Sequence, residues 1–366
     1  MINFHQELWF ILLSVCSINH VACEMFYIVT SPDRSCPGEF TGEPCLTLQQ
    51  YVSQRSYISS NITLMMESGT HTLSESGSLT AATDIDSFTI TADSATIHAK
   101  LYYYPSSLLI DGVQHIHING ISFTGNGRIQ IRNAQDFLIE DCNFFGTQLD
   151  LLYGVTIATI LRVQFSDYCD QQPSSRHTTA KLMSSSSRLT VEYCTFANSD
   201  GIIIRGTNSA SSMIHSNFVN NRKSHGGAIE VDSYCSYRRS LLISHSNFTG
   251  NTAENGGGAV YVSGNCMDSV IVNQSSFVNN LVLRGGGGAV YFDGNHASSQ
   301  FRRTRDLYIT ITQSNFIQNT ALSCGALCID NGYHTDVRIM TSVFYCLLYT
   351  SPSPRDATLS RMPSSA

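Results

Sequence analysis

A phenylalanine that returns at near-regular intervals constrains the fold of this chain more than any local motif. Its nine positions are Phe123, Phe144, Phe165, Phe196, Phe218, Phe248, Phe277, Phe316 and Phe344. The shortest intervals, 21 and 22 residues, define a basic unit, and longer intervals of up to 39 residues carry insertions. An apolar or near-apolar residue stands five places before every Phe. A repeat of this length is typical of a solenoid, in which each unit stacks on the one before it.

Two further features recur with the Phe. In five units an Asn follows three residues later, at Asn126, Asn221, Asn251, Asn280 and Asn319. We expect this Asn to adopt a left-handed backbone and to bond to the next copy through its amide. Later units continue with two Gly, an Ala and a short alternating apolar run, as in Gly226-Gly227-Ala228-Ile229. Alternation with a period of two predicts a half-buried β-strand.

Stacking gives these short strands a core. One unit cannot bury its apolar face alone, whereas a stack of about a dozen buries a continuous core. Parallel ladders space the coils by ~4.8 Å, so equivalent positions superimpose. A leucine-rich horseshoe is the main rival, but the L-x-x-L-x-L spacing is missing. The sequence therefore predicts an all-β fold, a single-stranded parallel β-helix over residues 61–345.

The repeat carries a family resemblance. The pairing of Gly-Gly-Ala-(Ile/Leu/Val) with Phe-x-x-Asn, present from Phe218 to Leu327, is similar to the repeats of chlamydial polymorphic membrane proteins, which are surface adhesins. More broadly it resembles pectin-lyase-like β-helix proteins, which implies right-handed coils. Residues 36–57 resemble the start of secreted metazoan β-helix proteins. This likeness implies an N-terminal cap over residues 24–60, with a short helix within 46–55 and a staple between Cys36 and Cys45.

The beginning of the chain resembles a leader. The apolar run from Leu8 to Val15 and the small residues that end at Cys23 predict a secretory signal peptide over residues 1–23. Because no Lys or Arg precedes the apolar run, an uncleaved signal anchor is the alternative. We otherwise expect a secreted, extracellular or cell-surface protein.

The other end resembles a translated sequencing adapter over residues 346–366, with residue-for-residue agreement over 346–356 and 360–366. We exclude this tail from fold reasoning and expect the natural chain to be truncated near Tyr345. After the N-terminal apolar run, no segment of this fragment approaches the ~20 continuous apolar residues of a membrane-spanning helix, and an anchor beyond the truncation is left open.

The net charge of the chain limits the classes of partner that it can bind. The chain has 21 Lys and Arg, only three of them Lys, against 28 Asp and Glu, for a net charge of −7. It offers no basic stripe for phosphates, so nucleic acid is not an expected partner.

Sequons at Asn61, Asn247 and Asn273 predict N-glycosylation on a secretory route.

Cysteine positions predict one disulfide by register. Cys235 and Cys266 each lie seven residues after the Ala of a Gly-Gly-Ala motif, and therefore share a loop position on adjacent coils. A spacing of ~4.8 Å lies within the Cα range of a disulfide. Cys142 and Cys194 lie two coils apart, so we expect no bond between them.

Cys324 and Cys328 are four residues apart. On an extended strand their separation would be on the order of 13 Å, so we expect no bond there either.

The sequence shows no set of ligands for a metal or a cofactor, so we expect neither a bound metal nor a cofactor. His115 and His117 share a face without an aligned third ligand, so we interpret them as solvated histidines.

One segment invites a catalytic interpretation. Asn198-Ser199-Asp200-Gly201 resembles a polygalacturonase segment, and Ser224-His225-Gly226 resembles a second one. The paired aspartates expected one coil further on are missing. Inverting hydrolysis needs an acid and a base carboxylate, and one Asp cannot fill both roles. Asp200 is otherwise a turn residue before a strand.

Aligning the Gly-Gly-Ala motifs places side chains in outward columns. One column contains Asp232, Ser263, Asp293 and Asp330. Its carboxylates are either a weak calcium site or a solvated rim. The column two positions earlier contains Glu230, Tyr261, Tyr291 and Cys328. Exposed tyrosines there suit sugar or protein recognition, and the alternative is cross-strand stabilisation.

The sequence thus favours a non-enzymatic β-helix protein that presents a long face to glycans or extracellular proteins. The competing class is a polysaccharide lyase or glycoside hydrolase of the pectin-lyase-like kind.

Overall fold

The protein forms a stack of parallel coils with one short helix. The computed structural model describes residues 23–29, 46–54, 57–58, 61–73, 77–81, 87–99, 107–125, 127–166, 181–205, 210–231, 239–263, 267–293, 306–330, 334–345 and 348–349. The helix, α1, is Leu48–Gln54. Each pairing between described strands is parallel, and the strands assemble into three sheets.

The first and largest sheet contains β1 Cys23–Val29, β2 Leu46–Thr47, β4 Asn61–Met66, β5 Gly69–Leu73, β7 Ser87–Ala99, β9 His115–Gly125, β11 Asp136–Glu140, β12 Asn143–Phe145, β14 Ile157–Leu161, β15 Gln164–Ser166, β17 Arg188–Glu192, β18 Thr195–Ala197, β20 Ala210–Ile214, β21 Asn217–Val219, β24 Arg239–Ser244, β25 Asn247–Thr249, β28 Met267–Asn273, β29 Ser276–Val278, β32 Asp306–Thr312, β33 Asn315–Ile317, β36 His334–Met340 and β37 Val343–Tyr345. The second contains β3 Tyr57–Ile58, β6 Gly77–Ala81, β8 Ser107–Asp111, β10 Arg128–Arg132, β13 Gln148–Leu151, β16 Lys181–Ser184, β19 Gly201–Ile204, β23 Ile229–Val231, β27 Val260–Ser263, β31 Val290–Asp293 and β35 Leu327–Ile329. The third contains β22 Arg222–His225, β26 Thr252–Gly256, β30 Leu281–Val282, β34 Thr320–Ala321 and β38 Leu348–Tyr349.

The recurring Phe residues form one file inside the coils. Neighbouring ring centroids from Phe123 to Phe344 lie 4.5 to 5.1 Å apart, close to the ladder spacing. Phe218 pairs with Phe248, and Phe248 with Phe277, in register. The predicted parallel β-helix is therefore confirmed, and so is the register on which its outward columns depend.

The Asn column is confirmed as an amide ladder. Asn221, Asn251, Asn280 and Asn319 are fully buried. Each of the first three donates from Nδ2 to Oδ1 of the next Asn at 2.9 to 3.0 Å. The left-handed backbone expected for this Asn is wrong, because it falls one residue earlier, as at Asn220 and Asn279. The earlier residue makes the turn, which leaves the Asn side chain pointing inward.

A second left-handed position recurs three residues before each Phe. It is occupied by Gly120, Asp141, Arg162, Tyr193, His215, His245, Gln274, Gln313 and Thr341, with φ between 46° and 74°. Such angles are uncommon for residues with a side chain. The kink turns the chain between the two strands that each coil contributes to the first sheet, such as β11 and β12.

Serine or cysteine occupies the position two residues before seven of the nine Phe residues. Ser216, Ser246, Ser275 and Ser314 are buried, and each backbone N–H donates to the Oγ of the next serine at 3.1 to 3.2 Å. In earlier coils the thiols of Cys142 and Cys194 accept from Ile121 and Val163 at 3.4 Å. Both thiols are free, and they lie two coils apart as predicted.

The helix closes the first coil. Its buried face is Leu48, Tyr51 and Val52, and the Tyr51 ring packs against Phe26 of β1 at 5.2 Å. Thr47 and Gln50 form a capping box: the Gln50 N–H donates to the Thr47 hydroxyl, and the Thr47 N–H donates to Gln50 Oε1. The predicted helical cap is confirmed, two residues shorter at its start and one at its end.

The ends of the chain lie mostly outside the described residues. The first described residue is Cys23, which begins β1 and pairs with Asn61 of β4. Within the predicted adapter tail, only Leu348 and Tyr349 are described, and they pair with Thr320 and Ala321. In the described part of the chain no helix has the length and apolar character needed to span a bilayer.

We expect Phe248→Ala to lower the free energy of unfolding by about 3 to 5 kcal/mol, because it opens a cavity at a fully buried position within the file. Denaturant unfolding monitored by circular dichroism measures this loss. Phe145→Ala is the control, since Phe145 is adjacent to the file but 36% exposed. Equal losses from the two variants would contradict a packed file.

Candidate binding face

The candidate face lies on the outward side of the second sheet, in its last four coils. Backbone pairing aligns Glu230 with Tyr261, Tyr261 with Tyr291, and Tyr291 with Cys328, as the sequence predicts. These side chains alternate with the core residues of the same strands, and therefore point away from the Phe file.

The two tyrosines are more enclosed than predicted. Tyr261 is 5% exposed, so the expectation that both rings are exposed is wrong for Tyr261, and Tyr291 is half-buried. Their rings stack with centroids 5.7 Å apart, and His225 packs on Tyr261 at 4.8 Å. Gly256 makes the space, since a Cβ there would lie 3.3 Å from Tyr291. The lack of a side chain at Gly256 therefore lets the third sheet pack against the tyrosines.

Each tyrosine hydroxyl is bound to a carboxylate of the next coil. Tyr261 donates to Asp293 Oδ2 at 2.6 Å, and Tyr291 donates to Asp330 Oδ2 at 3.2 Å. Burial, followed by the negative charges of Asp330 and Asp293, raises the pKa of Tyr291 to about 12. Burial and the hydrogen bond to Asp293 raise the pKa of Tyr261 further. The hydroxyls therefore serve as donors at physiological pH.

The predicted acidic column is present where it is described. Ser263 pairs with Asp293, and the Asp330 N–H donates to the carbonyl of Phe292, so Asp293 and Asp330 lie on adjacent coils. Asp232 lies outside the described residues. Among the described side chains, no group of three His, Cys, Asp or Glu is placed to hold a metal ion. The described carboxylates bind the tyrosines instead.

A buried ion pair borders the tyrosines. Lys223 Nζ lies 3.7 Å from Glu230 Oε2, and both side chains are at most 15% exposed. The same amine donates to the carbonyl of Ile202 at 2.8 Å.

The polygalacturonase-like segment has a structural role. The Ser199 hydroxyl donates to Asn221 Oδ1 at 2.9 Å and accepts from the Gly201 N–H, which continues the amide ladder by one coil. Asp200 is 8% exposed and precedes β19. His225, from the second segment, packs on Tyr261 rather than on this turn.

Cys324 and Cys328 form a disulfide, which corrects the prediction of no bond. Their Cα atoms are 5.3 Å apart, because the chain is bent rather than extended here. Cys324 has a φ of 53° and occupies the position of Gly257 and Gly287, which have φ of 62° and 70°. The predicted pairs Cys235–Cys266 and Cys36–Cys45 lie outside the described residues.

The three sequons differ in accessibility. Asn247 is exposed, and its Nδ2 donates to Asn217 at 3.0 Å. Asn273 accepts from the Thr312 hydroxyl, and Asn61 accepts from the Ser87 N–H. Glycosylation stays a prediction at all three, and Asn247 has the most open position.

His115 and His117 each have a carboxylate neighbour, and their side chains are 53% and 37% exposed, which agrees with their interpretation as solvated histidines. They contact Asp136 and Glu140 of the next coil, each at 2.9 Å. Arg162 adds hydrogen bonds to Glu140 and Asp141, and its bond to Asp141 lowers the pKa of that carboxyl. The register of the coils brings these histidine, arginine and carboxylate groups together. No local sequence motif predicts the contacts.

This chain is similar to a known repeat family in sequence and to a known protein in structure. The model of the Chlamydia polymorphic membrane protein repeat matches residues 245–263, which include Tyr261. The crystal structure of pectate lyase Pel9A is similar with a TM-score of 0.52, covering 94% of this chain and 86% of that chain at 12% identity.

The chain has a pectate-lyase-like fold. At this identity the likeness shows the fold alone, and the repeat match covers one coil. No curated protein is similar enough in sequence to count as a relative.

We expect stability to fall as pH rises from 10 toward 12. In that range unfolded Tyr291 loses its proton at its ordinary value of 10, while folded Tyr291 keeps it. The folded state then binds more protons, so rising pH favours unfolding. The midpoint of denaturant unfolding is measured below and above pH 10. Between these two pH values it should fall less in Tyr291→Phe than in the wild type. Tyr308→Phe, at a 49% exposed position on another sheet, is the control.

We also expect Cys142 and Cys194 to resist alkylation in the native protein at neutral pH. Burial raises the pKa of each thiol to about 12, so neither forms the reactive thiolate. Mass spectrometry of labelled peptides should show both modified only after denaturation. Stoichiometric labelling of either residue in the folded protein would contradict this.

Proposed function

We propose that this chain is a secreted or cell-surface, non-enzymatic β-helix protein that recognises extracellular glycans or proteins through the outward face of the second sheet. The observation that carries the proposal is the row of tyrosines locked to carboxylates, Tyr261 to Asp293 and Tyr291 to Asp330. The row thus contains the same donor–acceptor pair twice, on successive coils.

Preorganisation favours recognition here. Each hydroxyl, carboxylate and ring is fixed by a neighbouring coil before any ligand arrives, so binding costs little side-chain entropy. Tyr291, Asp293 and Asp330 are partly exposed, which leaves lone pairs and a ring edge accessible. Tyr261 stacks on Tyr291, and the Lys223–Glu230 pair lies on the coil that precedes Tyr261.

The comparisons support the cellular setting of this proposal. The repeat of a membrane protein family matches the coil that supplies Tyr261. The predicted signal peptide and the disulfide between Cys324 and Cys328 agree with an oxidising, extracytoplasmic compartment.

The competing proposal is a polysaccharide lyase or hydrolase, since one similar structure is a pectate lyase. In the described part of this face the acids and the base already have partners: Glu230 pairs with Lys223, and Asp293 accepts from Tyr261. This pairing favours recognition over catalysis. Product release from polygalacturonate that falls on Asp200→Asn would favour the enzyme instead.

We expect Tyr291→Ala to weaken ligand binding by about tenfold or more, because it removes a ring and the hydroxyl that donates to Asp330. Arrays of glycans and extracellular proteins supply the ligands, and the affinity of each hit is then measured. Tyr308→Ala should keep every hit, since Tyr308 lies on the first sheet. Hits that survive Tyr291→Ala unchanged would rule this face out.

A further inference from the structure

A shallow cleft of about 430 Å³ lies far from the tyrosine row, at the turn that leads from the second sheet into the first. Three successive coils contribute to it. Its lining consists of Gln114, Asn133, Ala134, Gln135, Gly154 and Thr156, none of which is charged. The cleft is therefore polar and neutral, in a chain of net charge −7.

The amide and hydroxyl groups form a row. Gln135 donates its N–H to the carbonyl of Gln114, and the next coil pairs Ile157 with Asp136, so Gln114, Gln135 and Thr156 occupy equivalent positions. All three residues are exposed. Their side chains recur at the coil spacing of ~4.8 Å.

Turn geometry opens the floor of the cleft. Asn133 and Gly154 have φ of 50° and 82° at corresponding turn positions. A Cβ on Gly154 would collide with the Asn133 side chain, which lies across it and donates from Nδ2 to Asp111 at 2.8 Å. The absence of a side chain at Gly154 therefore lets the Asn133 amide lie across the turn, where it is fixed at the floor of the cleft.

Charged groups near the cleft have partners outside its lining. Arg132 lies 3.7 Å from Asp111, and His115 lies 2.9 Å from Asp136. The lining itself is uncharged, so it offers no charged group for an ionic ligand.

The main chain does not offer an open strand edge. The N–H groups of Gln135 and Thr156 bind carbonyls of the preceding coil. Among the described residues, the side-chain amides of Gln114 and Gln135 have no hydrogen-bond partner. Recognition here would therefore rely on side-chain amides rather than on strand addition, the usual way to hold an extended peptide.

We propose that this cleft binds a neutral, hydroxyl-rich glycan chain. A primary amide presents a donor and an acceptor together, and vicinal sugar hydroxyls present the matching pair. Tyr153, which is 61% exposed and adjoins Gly154, supplies an aromatic surface, and Arg132 covers one side of its ring at 4.8 Å. The inference rests on the glycan-recognition part of the proposed function but assigns it a second, separate face.

The test is a double variant, Gln114→Leu with Gln135→Leu, which keeps the size of both side chains and removes their hydrogen bonds. Cello-, manno- and galacto-oligosaccharides are the neutral probes, in calorimetric titrations. We expect at least one to bind the wild type and to bind the double variant about tenfold or more weakly. Gln164→Leu, an exposed Gln on β15, is the matched control and should bind normally.

Companion measurements separate the two faces. Neutral-probe binding that survives Tyr291→Ala but not the double variant supports the cleft. Loss on Tyr291→Ala with no effect of the double variant overturns the cleft and leaves the proposed function standing. Binding only to oligogalacturonate or to unstructured peptides, or no neutral probe bound, also overturns it. If the double variant has a lowered unfolding midpoint, Thr156→Val is measured in its place, with the same expectations.

Discussion

Parallel pairing of each coil with the next, at a spacing that fits an aromatic ring, is the constraint on which the structure depends. Phe rings stack at 4.5 to 5.1 Å, and Asn amides bond across the same gap at 2.9 to 3.0 Å. One apolar file and one polar ladder thus impose the same register. A shift by one residue would expose the rings and bury unpaired amides, and both changes cost free energy.

The same constraint produces the candidate recognition surfaces. Once register is fixed, side chains at one repeat position form a row on the outside, whatever their type. Tyr261 and Tyr291 meet the carboxylates of the following coils because the acidic column lies two residues further along each strand. In earlier coils the same geometry aligns Gln114 with Gln135 at a turn. A solenoid therefore carries several faces, each made by a single column.

Sequence reasoning predicted those columns well and their environment less well. It placed Glu230, Tyr261, Tyr291 and Cys328 in one row, because the Gly-Gly-Ala motif fixes the count along the chain. It overestimated the exposure of Tyr261, since His225 and Gly256, which pack against the tyrosine rings, belong to another sheet. It missed the Cys324–Cys328 disulfide because it assumed an extended strand where Cys324 is left-handed. It placed the left-handed residue of each Asn turn one position late, as at Asn220.

The sequence by itself determined the coil length, the inner Phe file and the buried amide ladder, because these depend on spacing and residue type along one chain. Only the tertiary structure decided which outward groups meet, how far they are buried and where the turns open a cleft. Those properties depend on contacts between residues 20 to 40 positions apart, such as Tyr261 with Asp293 and His117 with Glu140. Kinks at residues as varied as Arg162, Tyr193 and His215 carry no compositional signal, since stacking holds the backbone there against the preference of each side chain.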